Sequence, residues 1–180
     1  MKVLRIFLAL QIAILVVWGF RAAFHGWQAD RAIEQAQQLW AEGQLNKAIL
    51  RLQATPPSQA RVPYTLGRLH LSRYLLEGQP TDLALANGRF LEAAQRNPQE
   101  GLYLAGLGQV ELLAGQAQQA EPWFRQALER DPHNQDYLYG LGETLEALGQ
   151  SKEAVKVYRQ GRRIKADPRF SAGLARLGVP

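Results

Sequence analysis

Apolar and small residues in the second half of this chain recur after 34 positions. Leu104, Leu107, Gly108, Gly115, Ala120, Phe124 and Ala127 in one stretch are matched at the same offsets by Leu138, Leu141, Gly142, Gly149, Ala154, Tyr158 and Gly161 in the next. Leucines at helical spacing, with small residues at fixed places between them, predict paired helices over 101–134 and again over 135–168. Upstream the pattern loosens. Leu66-Gly67 with Ala86, Phe90 and Ala93 predicts a looser unit over 60–100, with a connection around Gly78–Asp82 about seven residues too long. Leu39, Gly43, Ala48 and Leu52 predict another over 29–57, stopping at Thr55-Pro56-Pro57. Phe170–Leu177 reads as an amphipathic cap within 169–180.

The residue types explain the periodicity. Gly108 and Gly142 leave no side chain where the first helix of a pair meets its partner, and Ala120 and Ala154 do the same from the second. Gly115 and Gly149 fit the left-handed residue that ends a helix. Asp131-Pro132 closes the first pair, because proline cannot continue a helix. Pro122 falls inside a predicted helix, which should therefore start late or bend there.

A period of 34 with small residues at the eighth, twentieth and twenty-seventh places resembles the tetratricopeptide repeat (TPR) family, as single-pass membrane-anchored bacterial members carry it. The resemblance implies an all-α fold: a short superhelix of two good and about two degenerate repeats with a C-terminal capping helix. It also implies a groove for a protein partner, lined from places two, five, nine, twelve and thirteen of each first helix. Those places are Leu102, Ala105, Gln109, Leu112 and Leu113 in one repeat, and Asp136, Tyr139, Glu143, Glu146 and Ala147 in the next. Aligning Leu66-Gly67 adds Arg61, Tyr64, Arg68, Leu71 and Ser72. The lining would grade from basic through apolar to acidic, suiting an extended or helical peptide of mixed charge.

The N-terminus carries a separate signal. Ile6–Phe20 has no charge, and extending the run from Val3 to Phe24 gives a helix of about 33 Å, enough to cross a bilayer core. Arg5 and Arg21 would snorkel to the interfaces, with Trp18 and Trp27 in an aromatic belt. A cleaved signal peptide shares this charge order, but Ala22, Ala23 and Gly26 make poor small-x-small sites. The reading is an uncleaved signal-anchor over residues 1–27. The N-terminus would then be cytoplasmic and the repeat domain, 28–180, periplasmic, on an inner membrane.

The net charge of +5 divides unevenly. Residues 1–28 contribute +3, residues 29–151 carry ten basic and fourteen acidic side chains, and residues 152–180 carry eight basic and two acidic. The basic balance therefore does not argue for nucleic acid. Lys152, Lys156, Arg159 and Arg163 form one helical stripe, a candidate contact for an acidic partner or anionic lipid headgroups. His25, His70 and His133 are scattered, cysteine is absent, and no phosphate-loop or nucleophile-elbow motif occurs. His133 reads as a loop residue or cap. No catalytic residue, metal, cofactor or small-molecule substrate is expected. The function expected is a membrane-tethered protein–protein interaction module, a scaffold or assembly factor. The alternative is a permanent structural subunit of a membrane complex, docked through its transmembrane helix.

Overall fold

The computed structural model describes residues 2–57 and 59–179, with side chains at Gln11 and from Ile14 onward. Among the described residues it is all helical, with nine α-helices, and the chain divides into two compact units, Met1–Val62 and Pro63–Pro180.

The first unit is built on α1 (Lys2–Ala41) and α2 (Leu45–Gln53). Ala29, Ala32, Ile33 and Ala36 recur on one face of α1, and Leu45, Ala48, Ile49 and Leu52 answer from α2; all eight are buried. Arg61 belongs to this unit and pairs with Asp30 at 3.0 Å.

The transmembrane expectation is overturned here. Among the described residues no helix is long and apolar enough to cross a membrane. From Ile14 to Ala41, α1 carries Arg21, Asp30, Arg31 and Glu34, so this stretch holds no uninterrupted apolar run of spanning length. The part of the expected span before Ile14, Arg5 included, lies outside the described side chains, apart from Gln11. Trp18, Arg21 and Trp27 are exposed on the helix surface; Trp27 stacks on Phe24 at 6.1 Å and lies under the Arg31 guanidinium at 5.3 Å. The signal-anchor, the single-pass inner-membrane location and the periplasmic placement of the repeats lose their support together with the spanning helix.

The second unit holds α3 (Arg61–Glu77, from Pro63 on), α4 (Pro80–Arg96), α5 (Gly101–Leu113), α6 (Ala117–Arg130), α7 (Gln135–Ala147), α8 (Ser151–Ile164) and α9 (Pro168–Arg176). From α4 on, each helix packs against the next; α5 also meets α7, and α7 meets α9. Gly115, at φ +74°, makes the sharp turn between α5 and α6, and the Gln116 N–H returns to the Glu111 carbonyl at 2.8 Å. Phe124 explains Gly108: a Cβ there would come within 2.9 Å of the ring. Phe124, Leu138, Leu141, Leu145, Tyr158, Phe170 and Leu174 form one continuous core across α6 to α9.

Two local expectations change. Helix α6 begins at Ala117 and runs through Pro122 to Arg130, so it does not start late. Pro122 is exposed, while its neighbours Ala120 and Phe124 hold the helix to the core. The extra residues between α3 and α4 are not a long loop either. Only Gly78 and Gln79 connect the helices, because α3 and α4 are 17 residues each where α5 and α6 have 13 and 14. Near these lengthened ends sits a buried polar cluster. Asp82 is bonded by Arg73 at 2.5 Å and by His70 Nδ1 at 2.9 Å. The Arg73 hydrogen bond holds the Asp82 carboxyl below its ordinary range, and burial holds His70 below its own. A carboxylate only accepts, so His70 donates from Nδ1 and its Nε2 is left buried with no partner.

Candidate functional site

On α5, Gly101, Tyr103, Leu104, Gly106, Leu107, Gly108 and Val110 are buried. Leu102 and Gln109 are exposed, and Ala105, Leu112 and Leu113 half-buried. On α7 the division falls at the same offsets: Tyr137, Leu138 and Gly140–Leu145 less Glu143 are buried. Asp136 and Ala147 are exposed there, and Tyr139, Glu143 and Glu146 half-buried. Close packing against α4, α6 and α8 takes one side of each helix, which leaves one stripe of α5 and one of α7 outside the core. On α3, Arg68 is exposed and Tyr64 and Ser72 half-buried, whereas Leu71 is buried. Arg61, in the other unit, is taken by Asp30.

The α3 end is aromatic. Tyr64 lies 5.2 Å from the Tyr103 ring and 5.7 Å from Phe90, with the Arg68 guanidinium 6.0 Å over its face. Burial raises the Tyr64 pKa, opposed by the charge of Arg68. The middle, on α5, is apolar: Leu102 is 38% exposed, and Leu112 and Leu113, further along the helix, are half-buried.

The α7 end is covered by the chain itself. Arg169 of α9 pairs with Asp136 at 2.8 Å and lies 5.2 Å over the Tyr139 ring. Arg176 reaches Glu146 at 2.8 Å, and Tyr158 donates a short hydrogen bond to the same carboxylate. Burial pushes the Glu146 carboxyl up, but the bonds from Arg176 and Tyr158 outweigh it and hold it below its ordinary value. Tyr139 is raised by burial, then by its hydrogen bond to Glu143. Within the second unit the acidic end of the gradient is thus muted by α9.

Periodicity alone does not single out Arg169 and Arg176. They flank Phe170 and Leu174, and their spacing of seven on a short amphipathic helix was the available signal. Along α8, Lys152, Lys156, Arg159 and Arg163 are all exposed, and Arg162, not part of the predicted stripe, stands beside them. His133 is an exposed loop residue; the α7 cap is Asn134, whose side chain accepts from the N–H groups of Asp136 and Tyr137 at 3.1 and 3.3 Å. Among the described residues no cluster of His, Asp and Glu could hold a metal ion.

Two tetratricopeptide repeat models match the chain, over residues 81–135 and 111–177. No curated protein matches by sequence at a significant level. Among solved structures, MamA from Desulfovibrio magneticus RS-1 superposes with a TM-score of 0.70 at 15% identity, covering 84% of each chain. A thermophilic TPR protein of Thermus thermophilus gives 0.67 at 18%, over 83% of this chain and 80% of that one. The Sgt2 TPR domain from Aspergillus fumigatus gives 0.60 at 17%, over 68% and 78%. At such identities the likeness is one of fold, and no catalytic family is indicated. The two models together run from residue 81 to residue 177, more than half of the chain, with the 34-residue period inside them; the chain belongs to the tetratricopeptide repeat family.

Proposed function

We propose that this protein is a scaffold or assembly factor that binds an extended or helical segment of a partner protein on the open stripe of α3 and α5. The fold is that of a protein–protein interaction module, and the exposed Leu102, on the helix that also carries the half-buried Leu112 and Leu113, is the observation that carries the reading. Apolar positions in the middle suit an apolar anchor on the partner. Arg68 and Gln109 at the margins suit polar contacts that set its register. The acidic groups of α7 contribute less than their number suggests, because Arg176 pairs with Glu146 and Arg169, shared with Asp167, also reaches Asp136.

Site-specific photo-crosslinking in cells tests this. A crosslinker at Leu102 or Gln109 is expected to give a discrete protein adduct, and one at the exposed Gln119 or Gln126 of α6 is not. Adducts only at Gln119 or Gln126, or none at any of the four, would reject the reading.

A further inference from the structure

Helix α8 carries a second surface, separate from the open stripe. Lys152, Lys156, Arg159 and Arg163 lie on one ridge about 16 Å long, with Arg162 beside it. Lys156, Arg159, Arg162 and Arg163 line an open hollow of 390 Å³. Arg73, Arg96, Arg125, Arg169 and Arg176 each sit on a carboxylate. Among the described residues, no carboxylate pairs with any of the five on α8. Arg21, Lys47 and Arg130 also lack a carboxylate partner among the described residues, but α8 gathers five such cations on one helix. The one acid on that helix, Glu153, faces Arg125 at 3.8 Å.

The helix dipole accounts for only part of the arrangement. Cations in the last turn, such as Arg162 and Arg163, are favoured by the negative end of the helix. Lys152 stands in the first turn, where that field opposes it. Like charges four apart also repel. The ridge gathers exposed positive charge that an acidic partner would complement.

We propose that the α8 ridge docks an acidic segment of a partner protein, with carboxylates seated among Lys156, Arg159, Arg162 and Arg163. Guanidinium groups around one hollow suit carboxylates, which they can hold by paired N–H donors. Charge complementarity favours a short acidic segment over the other polyanions. A membrane-surface helix needs an apolar face free to enter the lipid. The apolar face of α8, Ala154, Tyr158 and Gly161, is buried in the core. Duplex DNA would extend past the 16 Å ridge onto a chain whose residues 29–151 carry net negative charge.

The test is fluorescence anisotropy with a labelled oligoglutamate peptide and the 180-residue chain at low ionic strength. Charge reversal in K156E/R159E/R163E is expected to weaken binding about tenfold. The neutral K156Q/R159Q/R163Q weakens it less, and R159K/R163K keeps most of it. A control moving the same net charge elsewhere, R21E/K47E/R130E, should change binding by no more than about twofold. Circular dichroism should be unchanged throughout, since every substituted side chain is exposed. The proposal is overturned by equal losses in K156E/R159E/R163E and the control, or by no peptide binding. Tighter patch-dependent binding to phosphatidylserine vesicles or to duplex DNA than to the peptide overturns it as well.

Discussion

Helices α5 and α7 have the same length, the same flanking turns and the same five places spared full burial, yet they offer different surfaces. On α5 those places hold the exposed Leu102 and Gln109 and two half-buried leucines, of which Leu112 packs against the core. On α7 they hold acids and a tyrosine, and α9 lies over them with Arg169 and Arg176. The difference teaches that a repeat period sets which positions face outward. The element that follows decides which of them remain available. A terminal helix that completes a core also takes up polar groups that would otherwise look like a binding surface.

The comparison breaks most completely if the packing shared by both repeats is removed. Phe124 is 4% exposed, and its ring fills the space left by Gly108 on α5 and Gly140 on α7. Phe124→Ala should lower unfolding free energy by about 3–5 kcal/mol in chemical denaturation; a loss under about 1 kcal/mol would mean the two repeats are not joined through this ring.

Arg176→Ala tests the α9 cover with a smaller effect. About 1 kcal/mol is expected, the low side for charged hydrogen bonds, because Arg176 is half exposed. The sign of its pH dependence follows from Glu146, whose folded pKa lies below its ordinary 4.5. The contribution is complete above 4.5 and is lost as pH falls through the lowered folded value. The stability gap between wild type and Arg176→Ala should therefore be full at neutral pH and close under acid. A gap that persists in strong acid would show that packing, not the ion pair, is what Arg176 contributes. The smallest effect belongs to the open stripe: Leu102→Ser should change stability by about 0.5 kcal/mol or less. A larger loss in the same denaturation assay would mean that α5 is covered too.

Much of the fold can be read from residue types. The pairs α5–α6 and α7–α8, their glycine turns and the capping helix follow from small residues at fixed offsets, because close helix approach tolerates little else there. The seven surplus residues near Gly78 were visible as a spacing error, but not their fate. Helix or loop depends on whether the added turns find partners, and Arg73, His70 and Asp82 supply them. The N-terminal reading failed differently. It summed hydropathy across Val3–Phe24, part of which lies outside the described side chains; from Ile14 on, α1 carries Arg21, Asp30, Arg31 and Glu34 and is not apolar enough to span. Of the places expected to line a groove, Leu102, Gln109 and Arg68 are exposed, whereas the burial of Leu71 and the α9 arginines beside Asp136, Tyr139 and Glu146 were not legible.

By itself, the sequence determined the helical hairpins, the places where they touch and the stripe of each first helix that stays outside the core. Those depend on neighbours three, four or seven residues away, and spacing encodes such neighbours directly. Only the tertiary structure decided which charges are matched. Glu146 meets Arg176 across 30 residues and Asp82 meets Arg73 across nine, while the cations of α8 meet no carboxylate among the described residues. Ion pairing requires approach within a few ångströms, and along the chain nothing marks which remote residues packing will bring that close.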